Sequence, residues 1–248
     1  MMGGLSAIQL RTLLETTERR VDLIPGLIRA DGITLLTAPP KIGKTMFACQ
    51  VALAALEGRS FLGFPAGPAV NVLYCDNESS NDELKQRFDM LQGDARDPYA
   101  LQFCRDHFQL AKDEDVDDLI ELVTAGGHKL VIIDTLATYM LGVDENDAGS
   151  VSRPLHGLRR LQQETGAALL VVAHAPKSES HGRIAAKTRG SNAITAAAST
   201  LMVLSGSGKK GNLALEQRFA VSSSISLTRR PDGFWERNAK EVPLSEAA

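Results

Sequence analysis

Between residues 33 and 204 short apolar runs recur, separated by stretches in which apolar residues return every three or four positions. The runs at 33–37, 69–75, 130–133, 168–173 and 200–204 are apolar on both faces, which predicts strands buried on both sides. The stretches at 45–56, 81–91, 116–124 and 151–164 predict helices. Gly58 stops the first, Ser80 or Asn81 caps the second, and Leu155, Leu158 and Leu161 share one face of the last. Such an alternation builds a mainly parallel sheet with helices on both faces, so the expected class is α/β.

Both ends of the chain leave this rhythm. Residues 1–24 predict a weakly amphipathic helix with Ile8, Leu10, Leu13 and Leu14 on one side, broken by Pro25-Gly26. After Gly208 the pieces at 213–217, 225–228 and 234–236 are short, and Gly211 and Pro231-Asp232-Gly233 punctuate them, which predicts a small antiparallel extension. No repeat or low-complexity linker divides the chain. The expected organisation is a helix at 1–24, one domain over 25–240 and a tail at 241–248.

Composition narrows the partners. The 248 residues are 44% hydrophobic and 23% charged, an ordinary globular balance with enough chain for a sizeable core. No apolar run approaches the about 18 residues that cross a membrane. The first residues lack a signal-peptide core, and Cys49, Cys75 and Cys104 have no ligand spacing, so buried thiols in a reducing cytoplasm are expected. A formal net charge of −3 excludes a surface coated with positive charge for duplex DNA. Contact with nucleic acid must be made by a few loops.

The chemistry begins at TLLTAPPKIGKTMF, residues 34–47. A predicted strand runs into Ala38, Pro39, Pro40, Lys41, Ile42, Gly43, Lys44 and Thr45, and Met46 continues into an apolar helix. This is the setting of a phosphate-binding loop: backbone N–H groups cradle phosphates at a helix N-terminus, Lys44 supplies charge, and Thr45 supplies a hydroxyl for Mg²⁺. Ala38 stands where a glycine usually opens the loop, which a negative φ tolerates. KLVIIDTLA delivers Asp134 at a strand end, the place for a carboxylate of the Mg²⁺ shell. Thr135, not a second acid, follows it, so the base that activates water must come from elsewhere. NVLYCDNES offers Glu78 as the candidate, with Asp76 as competitor.

Together the segments IPGLI, APPKIGKT, VLYCDNES, VIIDTLATYMLGVDENDAGSV, ETGAALLVVAHAPK and RGSNAI resemble the RepA and DnaB group of RecA-like P-loop ATPases, over about residues 24–237. The closest resemblance is to the small RepA-like hexameric helicases of plasmids and phages. It implies ATP and Mg²⁺ as ligands, Glu78 as catalytic glutamate, and His174 as a sensor of the γ-phosphate, where a lone histidine after a strand otherwise reads as a core residue. It further implies single-stranded DNA contacts in KSESHGRIAAKTR, whose Lys177, Arg183, Lys187 and Arg189 oppose one acid. An exposed basic loop without a ligand is the plain alternative. Arg218 best matches the cation that such rings insert into a neighbour's site, with Arg229 and Arg230 as alternatives. The implied protein is a homo-oligomeric, ring-shaped DNA helicase serving replication or recombination partners, its N-terminal helix packed on a neighbour; a recombination mediator or ATP-switched assembly partner is the other implied function. Two departures touch the coupling elements: Ala173 precedes His174 where a polar residue is usual, and Ser199 stands where an acid often occurs.

Overall fold

The computed structural model describes residues 7–17, 20–91, 100–143, 147–174, 192–218 and 220–238. The chain runs α1 (Leu10–Thr16), β1 (Ile33–Ala38), α2 (Lys44–Glu57), β2 (Val72–Cys75), α3 (Asn81–Met90), β3 (Leu101–Cys104), α4 (Asp113–Ala125) and β4 (Leu130–Asp134). A 3-10 turn (Leu136–Tyr139) leads to α5 (Ala148–Thr165), β5 (Ala168–His174), α6 (Asn192–Ala197), β6 (Thr200–Ser207), β7 (Lys210–Gln217), β8 (Ala220–Arg229) and β9 (Trp235–Arg237).

These strands make one sheet in the order β3-β2-β4-β5-β1-β6-β7-β8-β9. From β3 to β6 all pairs are parallel, and from β6 to β9 all are antiparallel. The expected α/β class and antiparallel extension are both present. β1 is buried at every position because it lies between β5 and β6 with helices above and below.

A hydrophobic core lies on each face. On one, Phe47, Val51 and Leu53 of α2 pack with Leu23, Ile24, Leu27, Ile28, Phe61, Phe64 and Trp235 against alternate strand residues. On the other, Leu119 and Val123 of α4 and Val151, Leu158 and Leu161 of α5 cover the remaining strand residues. α2 is apolar nearly all round because it is sandwiched between the sheet and an outer layer built from residues 23–28 and β9.

Several elements differ from expectation. Helix near the N-terminus spans only Leu10–Thr16 of the described residues; Leu23 and Ile24 are buried in the main core, and Ile24 pairs with Ile28 around Pro25-Gly26. α5 starts at Ala148 because the Asp147 side chain accepts the Ser150 N–H at 2.7 Å, a capping signal outside the apolar pattern. β3 and α6 were not expected from periodicity: β3 is a short edge strand with exposed Gln102, and α6 is a six-residue helix. Among the described residues no helix is long and apolar enough to cross a membrane.

Candidate functional site

The parallel topology brings the C-terminal ends of β1, β2, β4 and β5 to one edge of the sheet, where ligands of open α/β sheets bind. Register is tight: Ala38 pairs with His174, and Asp134 pairs with Val172. The loop from Pro39 to Gly43 leaves β1 there and enters α2 through Gly43, the N-cap, at φ 96°. No left-handed conformation is required of Ala38, which ends the strand with its side chain buried. The strained position is Lys41, a non-glycine residue at φ 66°.

Lys44 is buried, and its Nζ lies 3.1 Å from His174 Nδ1, a contact in which the ammonium donates to the Nε2–H tautomer. Burial pushes the Lys44 pKa below its ordinary value, opposed by the carboxylates of Asp134 and Glu78. Thr45, one residue on, is hydrogen-bonded to Asp134. Asp134 also accepts a 2.8 Å bond from the Tyr74 hydroxyl, which in turn lies 3.8 Å from Cys49 Sγ. Burial nevertheless pushes the Asp134 carboxyl up to about 6, against those hydroxyl bonds.

Asp76 and Glu78 separate clearly. Asp76 is 1% exposed, and its Oδ1 accepts the backbone N–H groups of Glu78 and Ser79, both at 2.9 Å. Arg87 of α3 lies 3.8 Å from Asp76 Oδ2 and donates to the Ser79 hydroxyl at 2.6 Å, while Arg105 reaches the Ser79 carbonyl. Asp76 therefore shapes the turn. Glu78 is exposed at the mouth of the site, and its Oε1 accepts from the hydroxyls of Thr135, at 3.1 Å, and Thr138. Thr135, which stands in the place of a second acid, and Thr138 hold the glutamate supplied by the neighbouring strand.

Lys44, Thr45, Asp134, Glu78 and His174 are thus brought together. Arg218 is not: it follows β7 at the opposite end of the sheet, exposed, donating to the Ala196 carbonyl at 3.2 Å. Of the two alternatives, Arg230 pairs with Asp232 and Glu236, whereas Arg229 lies beside Gly43 in its own chain. Lys177, Arg183, Lys187 and Arg189 lie outside the described residues. Tyr74, Thr138, Arg87 and the Arg229–Trp235 pair escaped the sequence reading. Tyr74 sits inside an apolar strand and looks like core, and the others act through the packing of distant segments.

The donor set suits Mg²⁺. Thr45 and Asp134 present two hard oxygens side by side, and no group of three or more His, Cys, Asp or Glu side chains able to hold a metal occurs among the described residues. A magnesium ion that keeps waters and shares phosphate oxygens asks for no more protein ligands than this.

Comparison with known proteins agrees with the geometry. A family model described as an AAA domain matches residues 4–180. A search of curated proteins by sequence returns no match. Among solved structures, a KaiC-like protein from the hyperthermophilic archaeon Pyrococcus horikoshii OT3 superposes with a TM-score of 0.65 at 18% identity, over 89% of this chain and 99% of its own. A DnaB-like replicative helicase, solved in a study of its interactions with primase, gives 0.63 at 14% identity over 85% of this chain and 58% of its own. The ATPase domain of G40P gives 0.61 at 14% identity over 84% of each chain. The chain belongs to the AAA domain family and is a P-loop ATPase of RecA fold, of the type found in DnaB-like and KaiC-like proteins.

Proposed function

We propose that this ATPase is a DNA motor, a RepA-like ring of six identical subunits that moves along single-stranded DNA as it hydrolyses ATP. The observation that carries the reading is the 3.1 Å contact between Lys44 and His174. The lysine that grips phosphate touches the residue after which the chain enters a basic stretch, residues 177–189. A γ-phosphate arriving at Lys44 competes with that contact, so nucleotide state is transmitted to the head of the basic segment. There Lys177, Arg183, Lys187 and Arg189 meet the DNA backbone, and with few aromatic residues nearby the contact is electrostatic and tolerant of sequence.

In this mechanism the backbone N–H groups of residues 41–46 hold the phosphates, with Lys44 on the outer ones. Thr45 and Asp134 would hold the magnesium ion, which would supply charge neutralisation for the outer phosphates. Glu78 takes a proton from the attacking water; both threonine bonds fall on Oε1, which leaves Oε2 to face the water. Arg218 enters the site of the adjacent subunit and stabilises charge on the transferring phosphoryl group. DnaB-like and G40P neighbours support this reading.

The test is strand displacement on a forked duplex with and without Lys44→Ala. ATP-dependent unwinding that Lys44→Ala abolishes is the expected result. The second reading is a non-helicase ATPase that switches assembly state. Turnover stimulated by single-stranded DNA without unwinding at any protein concentration selects that second reading.

A further inference from the structure

The end of the antiparallel extension, from Arg229 to Trp235, lies against the phosphate-binding loop, and the function proposed above makes no use of these residues. β8 runs toward the same edge of the sheet as β1, and its last residue, Arg229, pairs with Trp235 of β9. Between them Pro231-Asp232-Gly233 makes a turn closed by Gly233 N–H to Arg230 carbonyl at 3.0 Å and Arg230 N–H to Phe234 carbonyl at 2.8 Å. The turn is fixed to α2. The buried Gln50 side chain accepts the Trp235 N–H at 3.0 Å and donates to the Trp235 carbonyl at 3.1 Å, so a single amide fastens β9 to the helix that begins at the phosphate loop.

This fastening puts two donors beside Gly43. Arg229 Nη2 lies 3.2 Å, and Trp235 Nε1 3.6 Å, from the point where a Cβ on Gly43 would stand. Both are poorly satisfied by the protein. Trp235 is 2% exposed, yet its indole N–H is buried without a hydrogen-bond partner, a condition that in native proteins calls for an explanation. Arg229 has no carboxylate partner among the described residues: its Nε makes only a long 3.4 Å bond to the Gly233 carbonyl, and its guanidinium lies 5.8 Å from the centre of the Trp235 ring. Its neighbour Arg230, by contrast, is satisfied by Asp232 at 2.7 Å and Glu236 at 3.1 Å. A cation without an anion, against the mouth of a loop whose geometry is made for anions, is a ligand group awaiting its ligand.

From this we infer that Arg229, steadied by Trp235, is a cis clamp on the inner phosphates of the nucleotide: the guanidinium of the same subunit donates to the non-bridging oxygens of the α- and β-phosphates bound at Gly43. The inference rests on the reading that residues 38–46 bind a nucleoside phosphate. It removes Arg229 from the set of cations that could reach a neighbouring subunit, because the fold commits it to its own site.

The single tryptophan of the chain makes the clamp directly visible. Titration of the wild-type protein with Mg²⁺ and either ADP or a non-hydrolysable ATP analogue should change Trp235 emission, at an affinity independent of protein concentration. Arg229→Ala should weaken ADP and the analogue alike, by about tenfold or more, since a charge-assisted bond to an inner phosphate is lost from both. Arg229→Lys, which keeps the charge and loses the planar fork, should fall between. Thermal unfolding and far-ultraviolet circular dichroism report whether each variant folds, and Arg229→Lys carries the test if Arg229→Ala does not. Unchanged ADP affinity in a folded Arg229 variant overturns the clamp. So does recovery of about a quarter of wild-type turnover when Arg229→Ala is mixed in equal amounts with Lys44→Ala, which is the mark of a cation acting in trans. A wild-type protein that binds neither nucleotide overturns the underlying site reading, a result distinct from either of these.

Discussion

Two carboxylates at the sheet edge, Asp134 and Glu78, sit in opposite surroundings, and their environments divide the chemistry between them. Glu78 is exposed and anchored through one oxygen by two threonines. Asp134 is 3% exposed, and burial holds its carboxyl up near 6. Its unfolded value is near 3.8, so the native state keeps the proton that the unfolded chain has released. Without magnesium, the stability contributed by this group is fully present below pH 4, falls as pH rises toward about 6, and is then lost. Asp134→Asn should therefore stabilise the magnesium-free protein at pH 7.5, on the order of 1 to 2 kcal/mol, and make no difference at pH 4. Urea unfolding in a chelating buffer at the two pH values checks this; equal midpoints at pH 7.5 would sink it. The same substitution should abolish magnesium-dependent ATP turnover. At this scale the residue types were legible in the sequence, since strand ends advertise Asp134 and the Asp76–Glu78 pair. The sequence favoured Glu78 and kept Asp76 as competitor, because what distinguishes them, enclosure of one by α3 and β3, appears only in the fold.

Helix α3 shows how an element supports that choice. Ser80 and Glu83 form a reciprocal capping box, with Glu83 N–H to Ser80 Oγ at 3.2 Å and Ser80 N–H to Glu83 Oε2 at 2.7 Å. The cap sets the direction in which α3 leaves the Glu78 turn and brings Arg87 back onto Asp76 and Ser79. The sequence placed the cap at Ser80 or Asn81; the return of Arg87 was not legible there, because a residue eight positions away from Ser79 meets it only once the helix direction is fixed. Gln50 is a similar case in α2. A lone polar residue in FACQVALAALE reads as a blemish in an apolar helix, yet its amide stands where another strand would pair with β9 and satisfies both backbone groups of Trp235. Gln50→Leu should leave those two groups buried and unpaired, at a cost of about 2 to 3 kcal/mol. Freed from α2, β9 should loosen and the Trp235 emission should move to longer wavelength. Thermal unfolding combined with emission spectra tests the point; a stable variant with unshifted emission shows that hydrophobic contacts alone hold β9.

At the scale of the whole molecule the sheet order divides the cations between two ends. β6 and β8 run toward the edge that carries the phosphate loop, and β7 runs away from it. Arg229, after β8, arrives at its own P-loop; Arg218, after β7, is delivered to the opposite end, on a surface from which its own site is out of reach. In a closed ring of identical subunits the same two surfaces meet at every interface, so a residue remote from its own site can complete the next one. The resemblance put Arg218 first and kept Arg229 as an alternative, and periodicity could not separate them, because their difference lies in strand direction, which emerges only when the extension has paired. The consequence can be measured with two variants that the proposed mechanism makes inactive alone. On that mechanism Glu78→Gln lacks the base in cis, and Arg218→Ala lacks the cation offered to the neighbour. Mixed in equal amounts and allowed to exchange, they should recover about a quarter of wild-type ATP turnover, the fraction of interfaces at which an intact Glu78 meets an intact Arg218. Turnover that stays at the background of the separate variants, with subunit exchange verified by a label, means that Arg218 does not act across the interface. Full activity of Arg218→Ala by itself means that it takes no part in catalysis, and that the cation completing the site must come from elsewhere on the neighbouring surface.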